Sequence, residues 1–197
     1  RVWTADYATA RTKEEVNKTP QKLTGTVIGS RYSVDYGNGN AQSTTVNTKE
    51  NVFDGNYDTF FASYDRSRTW VGLDLGEKHV ITKVGWSPRK TQGGRVELAV
   101  IEGANEPDFS DALPIFMIKN AATEGVMHYG QVDCSRGFRY VRYVSPHDVR
   151  CNLAELEFHG YKAEIQRLAN PSGWDLKLFR TGMISGTTPR GWPTDAV

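Results

Sequence analysis

The stretch from Glu50 to Ser63, ENVFDGNYDTFFAS, gathers Asp54, Asn56, Asp58 and Thr59 around Gly55. A turn of this make-up brings several hard oxygens to one place, and calcium takes six to eight of them at roughly 2.3–2.6 Å. The same residues also make an ordinary polar turn, in which Asp side chains bond their own backbone. Spacing alone favours the plain turn, and both readings stay open at this point. Catalytic parts are absent by comparison. The sequence has no GxSxG elbow, HExxH pair, Walker loop or paired CxxC. That removes the minimal equipment of serine hydrolases, zinc proteases, nucleotide enzymes and dithiol redox proteins. Carboxylates are plentiful, but none sits in an apolar sequence context of the kind that raises a glycosidase acid's pKa.

The elements that must position such a turn are strands. Helical periodicity is nearly missing, while short β-branched and aromatic runs alternate with Gly, Pro, Asn and Asp. Strands are expected over residues 25–29, 70–75, 80–87, 96–102, 113–119, 127–132, 138–145 and 153–160. These suit a two-sheet sandwich. In the last of them Ala154, Leu156 and Phe158 share one face and Glu155, Glu157 and His159 the other, which predicts a strand packed on one side. Trp70 and Trp86 lie within strands and are read as packing residues. The long connections, residues 30–48, 53–69, 88–95, 103–112 and 146–152, are where function on a sandwich sits. The YGNGN run, Tyr36 to Asn40, lacks the flanking strand and helix of a nucleotide loop and reads as a surface turn.

The 197 residues carry 24 Lys plus Arg against 23 Asp plus Glu, a formal charge of +1. No overall field draws the chain to nucleic acid or an anionic membrane. RYVRY, Arg139 to Tyr143, does not place its arginines on one clean basic face and reads as sheet surface. The apolar runs are far shorter than the roughly 20 residues of a membrane span. Cys134 and Cys151 either pair or stay reduced, and buried thiols are the favoured reading. TKEEVNK, Thr12 to Lys18, has the Thr12 and Glu15 of a capping box. YKAEIQRL, from Tyr161, starts like a helix. The chain begins at Arg1, as a processed product or an excised piece does.

ENVFDGNYDTFFAS, WVGLDLG from Trp70, ITKVGWSPR from Ile81, FRYVRY from Phe138 and NLAELEFHG from Asn152 follow one another in the order of a known superfamily. Over residues 22–161 the chain resembles the discoidin, or coagulation-factor type C, superfamily, including the family 32 carbohydrate-binding modules. The resemblance implies an all-β, eight-stranded jelly-roll β-sandwich with short extensions, residues 1–21 and 162–197, that binds glycan without chemistry.

The resemblance also assigns residues. It implies a structural calcium held by Asp54, Asn56, Thr59 and Glu155, with Glu157 as the alternative to Glu155. Similar modules supply an arginine to the ligand from a strand ending in Pro-Arg, here Pro88–Arg89. Around Arg89 the expected fold would gather Tyr64 and Arg66 from one loop and His147 and Asn152 from another, with Tyr32 and Tyr36 as stacking platforms. Sugar recognition asks for such flat aromatic surfaces and fixed planar donors. The implied function is a secreted or cell-surface module that holds an attached enzyme or surface protein on glycan. The alternative is a protein-adhesion or structural module on the same sandwich.

Overall fold

A computed structural model describes residues 18–31 and 47–163. Among the described residues nine strands form: β1 Gln21–Lys22, β2 Thr26–Gly29, β3 Phe61–Ala62, β4 Trp70–Pro88, β5 Val100–Ala104, β6 Leu113–Met117, β7 His128–Gln131, β8 Gly137–Val144 and β9 Asn152–Lys162. Two short 3-10 helices, Lys49–Phe53 and Gly93–Val96, are the helical elements among the described residues. Every strand pairing is antiparallel, and the hydrogen-bonded order is β1-β9-β4-β8-β5-β6. β2 and β7 join β4, and β3 joins β9. The all-β expectation is met, with β1 and β3 added as two-residue strands too short to give a sequence signal.

β4 is where the two layers meet. Sequence spacing predicts two strands here, yet one strand of 19 residues runs from Trp70 to Pro88. Its first part pairs with β2 and β8, its second with β9 and β7, and the β8 register breaks between Asp74 and His79. Gly76 takes φ +76 at this point, and its N–H donates to Asp74 Oδ1 at 2.8 Å. A left-handed residue here is inexpensive only for glycine. Val71, Leu73 and Leu75 face the core, then Ile81, then Val84 and Trp86. The inward parity therefore changes at the register shift between Ile81 and Lys83. One long strand can thus feed both sides of a single core.

The core is built from Phe61, Ile81, Ile101, Phe138, Tyr143, Leu153, Leu156 and Phe158, all fully buried. Each such side chain contributes roughly 1.5–3 kcal/mol by leaving water. A smaller outer cluster joins Phe109, Tyr140 and Ala104 to Trp70, with Trp70 and Phe109 ring centroids 5.1 Å apart. Trp86 packs in the main core, as expected, whereas Trp70 is half-buried in this outer cluster.

One expectation needs correction. β9 is not wet on one side: residues 152–156 are all buried, because β9 lies between β4 and β1, with the Lys49–Phe53 helix packed over it. The arginines of RYVRY are ion-paired within the sheet. Arg139 donates to Asp74 at 2.8 and 2.9 Å, and Arg142 to Glu102 at 2.9 and 2.7 Å. Arg142 also stacks 3.9 Å over Phe109. Both cysteines are free thiols, Cys151 fully buried and Cys134 half-buried. β1 begins at Gln21 and β9 runs to Lys162, across the expected domain limits. The 12–18 and 161–168 helical signals and most of both extensions lie outside the described residues, apart from Lys18 and the 161–163 segment.

Candidate functional site

One end of the sandwich is made by three loops, residues 63–69, 89–99 and 145–151. The first and third are tied together beneath the surface by hydroxyls. Thr69 Oγ1 donates to Ser63 Oγ at 2.8 Å and lies 3.0 Å from Ser145 Oγ, while Cys151 N–H donates to Ser63 Oγ at 2.9 Å. All three hydroxyl residues are buried, so they are joints and not nucleophiles. Arg68 in the first loop, Thr91 and Leu98 in the second and Asp148 in the third hold positive φ values of 50, 65, 66 and 59. Non-glycine residues stay in that region only where surrounding contacts fix them.

Arg89 leaves the end of β4 under four constraints. Its backbone N–H donates to the Asn152 carbonyl at 3.2 Å, and its Nη1 donates to Asn152 Oδ1 at 3.2 Å. Its guanidinium lies 3.7 Å over the Phe60 ring, and its own carbonyl accepts from Gln92 N–H at 3.0 Å. Asn152 is 1% exposed, so its amide positions Arg89 and is itself out of reach of a ligand. Phe60 directly follows the Asp54–Thr59 turn, and its carbonyl accepts from Asn51 Nδ2 at 3.0 Å.

Near Arg89 stand Arg66, Arg95 and Arg150, and Arg95 feels the charges of the other three. Arg66, Arg95, Asp148, Val149 and Arg150 line a cavity of about 240 Å³. Arg150 Nη1 donates to the Ser63 carbonyl at 3.0 Å and also to that of Tyr64. Tyr64 is 43% exposed, with the Arg31 guanidinium 4.7 Å from its ring centre. His147 projects into solvent and pairs with Asp148 at 3.0 Å. The structure thus brings Arg89, Tyr64, Arg66 and Asn152 to one end, with His147 at its rim. Tyr32 and Tyr36 lie outside the described residues. Arg95 and Arg150 are additions that sequence reading passed over, because each sits in a short polar loop without a motif.

The Asp54–Thr59 turn forms beside this end. Asp54 Oδ1 accepts from Asn56 N–H at 2.8 Å, Asn56 Oδ1 accepts from Asp58 N–H at 3.0 Å, and Thr59 Oγ1 donates to Asp54 Oδ2 at 2.7 Å. Lys90 pairs with Asp58. Glu155 reaches the turn from β9, 1% exposed, with Oε1 lacking any hydrogen-bond partner. Burial, a hydrogen bond to Asp54 and the Asp54 charge push its carboxyl up to about 7. This corrects the expectation that no carboxyl sits in a pKa-raising environment. The environment comes from tertiary packing, which the flanking sequence cannot reveal. Glu157 is engaged elsewhere, by Lys22 at 2.7 Å, His159 at 2.9 Å and the Tyr129 hydroxyl at 3.3 Å. Of the two glutamates, Glu155 is the one that faces the turn. Among the described residues no three His, Cys, Asp or Glu side chains gather as a metal cage. Two carboxylates with a hydroxyl and carbonyls are nonetheless a donor set that fits a hard cation, and an orphaned buried carboxylate oxygen is what such an ion satisfies.

Known proteins were compared with this architecture. The CBM62 module from Clostridium thermocellum Xyl5A superposes with a TM-score of 0.66 and is 40% identical, covering 73% of this chain and 99% of its own. The chain belongs to the CBM62 family. Likeness within the wider discoidin-like group is lower. A fucolectin from Morone saxatilis serum is 20% identical, with a TM-score of 0.59, over 70% of this chain and 47% of that one. Truncated AlyQ with CBM32 and alginate lyase domains is 16% identical, with a TM-score of 0.53, over 75% and 35%. These two carry the fold alone. No protein-family profile and no curated protein matches the chain. The expected discoidin-like fold of a carbohydrate-binding module is therefore established, with CBM62 rather than family 32 as the family matched at high identity. Among the described residues no helix of this CBM62 member is long and apolar enough to cross a membrane.

Proposed function

We propose that this CBM62 module is non-catalytic and grips a glycan at the loop end around Arg89. The supporting observation is the way Arg89 is held. Its guanidinium is fixed between the Phe60 ring and the Asn152 amide, so donors are presented to a sugar's hydroxyls at little cost in side-chain entropy. Arg66, Tyr64 and Arg150 frame the same end, and Tyr64 offers an exposed aromatic surface to the apolar face of a ring. His147 stands at the rim, and Tyr36 is carried as a sequence-based candidate.

In this reading calcium is structural. Asp54, Glu155 and oxygens of Asn56 and Thr59 would hold it, and the ion would neutralise the two facing carboxylates. The site's contribution is positional: the turn it would fasten ends at Phe60, the platform for Arg89. No step of chemistry is assigned to the module.

The physiological role follows from proximity. An exported polypeptide carrying this module would keep an attached enzyme or surface protein near polysaccharide, raising its effective concentration there. A glycan array with the full chain tests the reading. Binding that is lost in Arg89→Ala at unchanged melting temperature supports it. No glycan signal, together with a persistent protein partner, would replace it with an adhesion role.

A further inference from the structure

The loop end is more basic than a neutral sugar needs. Arg95 is half-buried, and burial followed by the nearby charges of Arg89, Arg150 and Arg66 disfavours the charge on its guanidinium. One carboxylate lines the cavity, that of Asp148, and its side chain is 82% exposed and already paired with His147. Among the described residues no carboxylate pairs with the guanidinium of Arg66 or Arg95. Elsewhere on the molecule the arginines of the sheet are matched, Arg139 by Asp74, Arg142 by Glu102 and Arg136 by Asp111. Among the described residues, Arg66 and Arg95 thus differ from those matched arginines, in a chain whose charges nearly cancel.

Holding several like charges together costs folding free energy that an anion would return on binding. A guanidinium is planar, always charged and presents a fork of donors that matches a carboxylate two bonds at a time. The cavity, about 240 Å³, lies below the roughly 300–1,000 Å³ of a drug-sized site, so it suits one ring and its substituent. Val149 gives its wall an apolar patch for the ring's C–H face.

We infer that the cavity between Arg66, Arg95 and Arg150 receives the carboxylate of a uronic-acid residue, making this module a reader of acidic polysaccharide. The inference rests on the glycan-binding reading of the same loop end and specifies its ligand class. Arg89 engages hydroxyls of the sugar, while Arg66 and Arg95 set the preference for the charged one.

Titration calorimetry of the full chain tests this with short oligogalacturonate and oligoglucuronate, their carboxyl-reduced neutral counterparts, and sulfated neutral oligosaccharides. A uronate should bind roughly tenfold or more tighter than its reduced counterpart, and the margin should shrink as salt is raised. Arg66→Gln and Arg95→Gln should each lower uronate affinity much more than affinity for the reduced sugar, and so remove most of that margin. Arg66→Lys should keep part of it, since the charge remains but the fork is lost. Melting temperature checks that each variant is folded, and Arg66, which is exposed, should not alter it. Equal affinity for uronate and reduced sugar overturns the inference while the glycan-binding function stands. Tighter binding of the sulfated probes overturns the assignment to carboxylate. Absence of binding to every probe and to a glycan array removes both readings together.

Discussion

Glu155 on β9 faces Asp54 across the gap to the Asp54–Thr59 turn, closely enough that Asp54 disfavours a charge on Glu155, although the two residues are 101 positions apart. Two carboxyls so placed keep a proton between them or a cation beside them. This pair links the stability of the module to the loop that supports its arginines.

Calcium should therefore raise the melting temperature of the full chain, and a chelator should lower it. At one hundred times the dissociation constant the gain would be about 2.7 kcal/mol. Glu155→Gln and Asp54→Asn should each abolish the calcium-dependent increment. Identical melting curves with and without the ion, together with none found by metal analysis, would reject the site.

Metal-free protein should respond to pH in a direction set by Glu155. Its carboxyl is raised from 4.5 to about 7, so between those values the folded state retains a proton that the unfolded state releases. Stability from this group is complete below about 4.5, declines as pH rises and levels off above about 7, a loss on the order of 3 kcal/mol. Lys22 moderates it by favouring the charged form. Metal-free Glu155→Gln should be flatter over this range and more stable than the parent at about pH 8. Denaturant titration at several pH values measures this, and a parent that gains stability between about pH 5 and 8 would contradict it.

Asn152 should matter to binding without touching sugar. Asn152→Ala removes the acceptor for Arg89 Nη1 and keeps the Phe60 ring under the guanidinium. Affinity for glycan should fall by several-fold, less than in Arg89→Ala. Because Asn152 is buried, about 1–3 kcal/mol of stability should go with it, whereas Arg89→Ala should leave stability nearly unchanged. Calorimetry paired with thermal melting separates the two effects.

Thr69→Val tests the hydroxyl joint. The substitution keeps the shape but removes the bonds to Ser63 and Ser145 that fasten two of the loops together. A loss of about 1–3 kcal/mol is expected, from hydroxyls left unpaired in a buried place. Glycan affinity should drop as well, since Arg66 and Arg150 lie on those loops. A variant as stable as the parent would show that the joint is dispensable.

Strand periodicity carried much of the fold. Val71, Leu73 and Leu75 alternate inward as their spacing predicts, because side chains on a pleated strand change face at every residue. What periodicity missed was the joining of two expected strands into β4. The irregularity that joins them, at Gly76 between Asp74 and His79, resembles a turn in sequence, and the inward parity changes only further on, between Ile81 and Lys83. The Asp54 turn was legible because hydrogen bonds between residues two to five apart need only local geometry.

The arginine cluster was not legible in the same way. Arg66, Arg95 and Arg150 come from separate loops, and only the return of the strands to one end brings them together. Glu155 looked like a residue of a solvated face until the turn and the Lys49–Phe53 helix covered it. The sequence by itself determined which segments are strands and which turn is rich in oxygen, since both depend on neighbours along the chain. Tertiary structure alone decided which charges meet and which carboxyl is buried, because electrostatic energy and solvent exclusion depend on distance in space and not on distance in sequence.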